Sequence, residues 1–191
     1  QNSKRDQAKK TAVSYDDFLK SLETKIKIWQ AKDDDIERVV QLTQKTNQFN
    51  LTTKRYTNVE IQNFIQSNQY EVFVISSEDK FGDNGKICVL ITRKNSDKTV
   101  FIDTFLMSCR VMSRFIEDQI IDYIEKKYAS EGYTKLLASY IPTKKNMPVK
   151  DLFDRLGYKI DTLSDGSKNY EIQLNNIKNI ERKKIGEIIL L

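Results

Sequence analysis

Apolar positions alternate with polar ones in some stretches of this chain. In others they recur every three to four residues, and the two periods separate strands from helices. TKIKIWQAK (24–32) alternates and reads as a strand. Over 36–46, Ile36, Val39, Val40 and Leu42 share one helical face, and Asp33, Asp34 and Asp35 stand at that helix's start. Residues 3–22 read as helical with a break near 11–15, where Ser14 is placed to cap the second piece. Thr57 is placed to cap a helix over 58–67. YEVFVIS (70–76), GKICVLITR (85–93) and KTVFIDTFLM (98–107) form an expected strand meander. Asp83-Asn84-Gly85 supplies turn chemistry for its first hairpin. A helix over 114–130 turns Ile116, Ile120, Ile121 and Ile124 to the core and ends at Gly132. KLLASYI (135–141) is the next strand, closed by Pro142, and a short helix over 148–156 stops at Gly157. YKIDTL and SKNYEIQL make a last hairpin around Asp165-Gly166.

The totals narrow the setting. The 191 residues suffice for one domain with a sizeable core. Apolar residues at 39% and charged residues at 31% fit a soluble globular protein. No apolar run reaches the ~20 residues a membrane span needs, so no membrane is expected. QNSKRDQAKK at the start has no apolar stretch after its charges, so no secretory leader is expected; residue 1 is not Met, and a domain boundary is expected there. The two cysteines, Cys88 and Cys109, sit in apolar surroundings and are expected as buried free thiols in a reducing cytoplasm. The chain has no His, which excludes Ser-His-Asp and Cys-His mechanisms and most zinc sites; no metal site is expected. The net charge of +5 is spread among 27 acidic residues, a pattern of a solvated surface and not of a nucleic-acid binder. It suits a phosphorylated small ligand or an acidic carrier protein. The end of the chain, IGEIILL, is apolar and is expected to dock on a neighbour or to hang as a ragged end.

SCRVMSRFIE (108–117) lies where the strand over 98–107 gives way to a helix. Free N–H groups and the positive end of a helix favour an anion at such a turn, and the two arginines add charge. The alternative is a connection with two solvated arginines. The element order β, α, α, β, β, β, α, β, α, β, β resembles the acyl-CoA-dependent N-acyltransferase (GNAT) fold. That resemblance implies an α/β fold: a mixed, mostly antiparallel central sheet flanked by helices, with the fourth and fifth strands (98–107 and 135–141) splayed. In the family the splay exposes backbone groups that hold pantetheine, and a Q/R-x-x-G-x-G/A turn holds the pyrophosphate. Arg110-Val111-Met112-Ser113-Arg114-Phe115 is the matching segment; Arg110 fits, and Ser113 and Phe115 stand where the family has small residues. The resemblance implies acetyl-CoA or another acyl-CoA as cofactor, held by Leu106, Met107, Arg110, Val111, Met112, Ser113 and Arg114. A second family run, N-x-x-A-x-x-F/L-Y-x-x-x-G-F, is matched by Asn146, Val149, Leu152, Phe153, Gly157 and Tyr158. It implies that Asn146 contacts the pantetheine arm. Phe153 stands at the position of a Tyr that protonates the departing thiolate, and Phe has no proton to give.

Four segments narrow the likeness: QLTQKTNQFNLTTKRY (41–56), DKFGDNG (79–85), SCRVMSRFIE (108–117) and YIPTKKNMPV (140–149). Together, over about residues 5–175, they resemble the C-terminal GNAT-type domain of FkbH-like proteins of the haloacid-dehalogenase (HAD) superfamily, subfamily IIIC. The implied layout is a helical linker (1–23) from a HAD-like domain outside this chain, a GNAT-like domain (24–175) and a tail (176–191). The implied activity is acyl transfer from CoA, or from the phosphopantetheine arm of an acyl carrier protein, to an amine or hydroxyl. The alternative is a module that binds pantetheine or the carrier without catalysis and partners a HAD-like domain.

Asn47, Gln48, Asn50, Thr52 and Arg55 either satisfy loop backbone or line the acceptor site, where Arg55 can pair with a phosphate or carboxylate. Glu117, Asp103 and Ser108 are the candidate catalytic groups; Glu117 can equally balance a nearby arginine, and Asp103 can be an outward strand residue. Lys144 and Lys145 are either solvated or phosphate contacts.

Overall fold

The computed structural model describes residues 2–191. Its elements are helices α1 (Asn2–Thr11) and α2 (Tyr15–Ser21), strand β1 (Thr24–Gln30), helix α3 (Ile36–Lys45), strand β2 (Phe49–Asn50) and helix α4 (Asn58–Gln66). Strands β3 (Tyr70–Asp79), β4 (Gly82–Lys94) and β5 (Thr99–Met107) follow, then helix α5 (Ile116–Ser130) and strand β6 (Lys135–Tyr140). The chain ends with helix α6 (Leu152–Arg155) and strands β7 (Lys159–Thr162), β8 (Lys168–Gln173) and β9 (Gly186–Leu190).

Local chemistry sets many of the element ends. Ser14 Oγ accepts from the Asp17 N–H at the start of α2, and Thr57 and Glu60 form a reciprocal capping box on α4. The strands line up as β7-β8-β6-β5-β4-β3-β1-β9, mostly antiparallel. Alternation along the strands sorts the core onto two faces. Phe73, Ile75, Leu90 and Phe105 pack with α2, α5 and α6, whereas Val72, Val74, Val89, Ile91 and Leu106 pack with α3 and α4. Among the described residues no helix is long and apolar enough to cross a membrane.

One expectation is corrected, and one pair of alternatives is decided. The β3–β4 turn is not at Asp83-Asn84-Gly85: Asp79 pairs with Gly82, so the chain reverses at Lys80-Phe81. Asp83, Asn84 and Gly85 lie inside β4, where the register skips Asn84 and Gly85 takes φ +70°. A bulge and a turn call for the same residues, and strand pairing decided between them. The tail does not hang free either. Its strand β9 pairs in parallel with β1, from Thr24↔Gly186 to Ile28↔Leu190. Buried Arg182 anchors the approach, donating to Glu125 of α5 at 2.6 and 3.1 Å.

The feature that matters for a site is the parting of β5 from β6. They pair in parallel only from Thr99↔Lys135 to Ile102↔Ala138. Beyond that point β2 takes up the free edge of β5, pairing Phe49 with Met107 and Asn50 with Leu106. The Leu51 N–H donates to Phe105 O (3.2 Å), and the Ile141 N–H donates to Leu51 O (2.9 Å). A three-residue segment from between α3 and α4 thus stands in the gap.

Candidate functional site

Two cavities border this gap, and a third adjoins one of them at the turn after β5. One of about 380 Å³ lies between the start of α5 and the 148–155 segment, walled by Met112, Phe115, Glu117, Pro148, Leu152 and Arg155. A second, about 350 Å³, lies beside the same turn and holds Arg5, Lys9, Arg110 and Arg114. These two share Tyr15, Met112 and Ser113. The third, about 700 Å³, lies where α3 faces the end of β5, between Arg38, Lys45, Asn47, Gln48, Met107, Ser108 and the Lys144-Lys145 pair. Phe49 lines both the first and the third, and at 4% exposure its ring is the partition between them.

The 108–115 turn keeps the backbone of a glycine turn without the glycines. Ser113 (φ +66°) and Phe115 (φ +58°) are both left-handed, at the two positions where the family motif has small residues. Such a conformation costs on the order of 1 kcal/mol or more for a residue with a Cβ. Tyr15 holds the turn by donating to Ser113 O (2.8 Å). Phe115 does not fill the cavity; its ring is wall, with Lys183 Nζ 3.9 Å and the Arg155 guanidinium 5.6 Å from its centroid. Arg110 donates to Asn84 O (3.2 Å) and Ser108 Oγ (3.3 Å). Arg114 and Arg5 both pair with the buried Asp79, at 3.0 and 2.9 Å. Burial pushes that carboxyl up, but the Arg5 and Phe81 hydrogen bonds outweigh it and leave Asp79 below its ordinary range.

Glu117 is the buried carboxyl of the first cavity. Arg155 donates to its Oε1 (2.9 Å) and to Asp118 Oδ2 (2.6 Å), while Glu117 Oε2 is buried without a partner. Burial raises its pKa to about 7, and half-exposed Arg155 is too well screened to restore it.

The other residues singled out from sequence divide. Asn47, Gln48, Met107 and Ser108 line the large cavity; Arg110, Met112, Ser113 and Arg114 line the turn. Leu106 and Val111 are core, on opposite faces of the sheet. Asp103 lines none of the three cavities: it is buried, with Lys54 at 2.5 Å on Oδ1 and the Tyr56 hydroxyl on Oδ2. Thr52 donates to Asp103 O (3.0 Å), and Asn50 bonds Thr46 O and the Thr53 N–H. Arg55 clamps the same loop through Thr46 O and Asn47 Oδ1. Asn146 is fully buried: its amide donates to Asn50 O and Ile141 O (both 2.9 Å) and accepts from the Thr143 N–H (2.8 Å). Its groups hold the inserted segment in the gap. Phe153 lies in the core against Tyr158 and Tyr170. Cys88 is buried as expected, but Cys109 is exposed, because it lies past the strand end at the mouth of the large cavity.

Sequence reasoning missed Arg38 and Lys45, which complete the basic lining. The signal was present: Arg38, Leu42 and Lys45 share one face of α3 at i, i+4 and i+7. The burial of Phe49 and Leu51 in the polar 47–56 segment is expected from the sequence, but the place of Phe49 between two cavities is not, since two residues show no period.

No protein-family model and no curated protein matches the chain. Solved structures do resemble it. The ribosomal-protein-S18-alanine N-acetyltransferase of Escherichia coli is 11% identical with a TM-score of 0.59, the match covering 78% of this chain and 94% of that one. A spermidine N-acetyltransferase SpeG variant from Vibrio cholerae is 12% identical with a TM-score of 0.61, covering 81% and 96%. A Desulfovibrio desulfuricans protein assigned to the GNAT family is 10% identical with a TM-score of 0.60, covering 78% and 99%. On its architecture, a mixed and mostly antiparallel sheet flanked by helices, the chain has the GNAT acetyltransferase fold.

Proposed function

We propose that this chain is an acyl-thioester-dependent transferase domain of GNAT type. The observation that carries this reading is the pair of cavities that meet at Phe49, where β5 and β6 part. On this reading the donor enters by the turn and the acceptor by the large cavity.

Acyl-CoA, when bound, supplies the activated acyl group. The outer half of the donor path fits it: a left-handed turn with Lys9 and Arg110, beside Arg5 and Arg114 that share Asp79, keeps a net positive rim for a diphosphate even with Asp6 in its wall. The inner half is filled by Phe49, Asn50 and Leu51, which use the edge of β5 and the amide of Asn146. Access to the acceptor side therefore requires Phe49 to move. Glu117, facing the donor cavity and titrating near pH 7, holds a proton there for a departing thiolate. That is the role Phe153 cannot fill.

The FkbH-like setting, with a HAD-like partner domain and a carrier protein, belongs to the same proposal and rests on the four sequence segments; a cytoplasmic location belongs to it too and rests on the two free cysteines.

The filled gap and Phe153 favour a second reading, a pantetheine- or carrier-binding module without catalysis. Calorimetric titration of acetyl-CoA into the intact chain, with thiol release followed in the presence of amines, separates the two. Binding with release supports the transferase, binding without release supports the module, and no binding to either wild type or Phe49→Ala sinks both.

A further inference from the structure

The large cavity has a chemical character that the fold alone does not assign. Four cations line it, Arg38, Lys45, Lys144 and Lys145, and no carboxylate does. None of the four is within 4.0 Å of a carboxylate oxygen among the described residues, although many other basic side chains are paired. Arg38 is the most informative. It is partly buried, and its guanidinium touches only neutral acceptors, Gln41 and the Lys86 carbonyl (3.2 Å). The adjacent ammonium of Lys86 does have a partner, Asp35 at 2.6 Å. The neutral lining is also rich in donors. Arg55 holds Asn47 by its oxygen (2.5 Å) and one amide N–H goes to Lys45 O (3.4 Å), which leaves the other N–H to donate, and Gln48 and Ser108 stand beside it. Both donor-side cavities differ: Glu117 and Asp151 offset Arg155 in one, and in the other Arg5 and Arg114 are paired with Asp79 while Asp6 lines the wall.

Unpaired like charges around one hollow repel each other, and a dense anion relieves that repulsion while accepting hydrogen bonds from the same groups. A polycationic acceptor is repelled by the same field. The volume of about 700 Å³ is that of a small-molecule site.

We infer that this cavity binds a phosphate-bearing ligand through Arg38, Lys45, Lys144 and Lys145; taken as the acceptor of the transfer, which rests on the reading above, that ligand is a phosphorylated amine or alcohol or a phosphopantetheinyl thiol. The anion site itself stands independently of catalysis.

Inorganic pyrophosphate titrated into the intact chain, followed by amide NMR, tests the site. The expected result is shifts at residues 46–49 and 108–109, and at least tenfold weaker binding in Arg38→Gln/Lys45→Gln and in Lys144→Gln/Lys145→Gln. Lys9→Gln, on the donor side, should leave these shifts unchanged. Equal affinity in all three variants, or shifts confined to 110–115, overturns the inference. Competition by phosphoethanolamine assigns a small phosphorylated acceptor, and competition by 4′-phosphopantetheine assigns the thiol arm. Competition by neither overturns the phosphate assignment. If pyrophosphate binds here and acetyl-CoA binds nowhere, the transferase reading fails and the anion site remains.

Discussion

Phe49 meets Phe105 edge-on with their ring centroids 5.4 Å apart, and this contact closes the space between the diverging ends of β5 and β6. An aromatic pair of this geometry adds about 0.5–1.5 kcal/mol to the area that both rings bury. Because Phe49 borders cavities at both of its sides, the same ring contributes to stability and separates two compartments.

Phe49→Ala should therefore have two effects of opposite sign. Loss of a buried ring costs about 3–5 kcal/mol, read as a lower urea midpoint. Joining the cavities should tighten acetyl-CoA at least tenfold, read by calorimetry at a temperature where both proteins are folded. Phe49→Leu keeps the core better filled and should show a smaller version of both changes. Unaltered affinity in a folded variant would show that Phe49 is packing only.

Asn146→Ala should be costly to the fold itself. It strips partners from the buried carbonyl of Asn50 and from the partly buried Ile141 carbonyl and Thr143 N–H. Each unsatisfied group costs about 1–3 kcal/mol, so a total of about 3 kcal/mol or more is expected in denaturant unfolding. A loss under about 1 kcal/mol would mean that water replaces the side chain and that the gap is loosely packed.

Glu117 makes stability depend on pH in a direction unusual for a carboxylate. Its folded pKa is about 7 against an ordinary 4.5. Between those values the unfolded chain has lost the proton and the folded chain keeps it. The contribution is full below about pH 4.5 and disappears as pH rises through about 7, a span of roughly 3 kcal/mol. Wild type should lose stability between pH 5 and 8, and Glu117→Gln should flatten that slope and be the more stable at pH 8. Parallel pH profiles for the two proteins would refute the raised pKa.

Gly186→Ala should release the last strand. A Cβ there would lie 2.1 Å from Thr24 O, closer than any side chain can approach backbone. Gln119 meanwhile holds the same backbone, bonding the N–H groups of Ile185 and Gly186 and the Gly186 carbonyl. Hydrogen exchange should accelerate at residues 186–190, with the segment near Arg182 still protected by its buried pair with Glu125. Unchanged protection of β9 would show that β1 shifts to accept the methyl group.

Much of the architecture was legible because it is governed by local rules. Ser14 and Thr57 cap their helices through residues three positions away, and the alternation of Val72, Phe73, Val74 and Ile75 needs only the strand's own pleat. The order of elements then led to the GNAT fold and to a turn at 110–114, whose left-handed backbone appears even with Ser113 and Phe115 in place of small residues. What depends on partners distant along the chain was not legible. Gly85 suits a turn or a bulge, and only pairing with β3 chose the bulge. Strand β9 exists because β1 has a free edge and Gly186 lets the backbones touch. Asn146 was visible as a motif residue, but Asn50, 96 positions away, takes its amide. The cations of the large cavity come from α3 and from a loop about a hundred residues later. Periodicity and capping act over a few residues and are written in the sequence; the filling of a gap and the convergence of charge are properties of the folded chain, because they depend on which distant backbone and side chains arrive at one place.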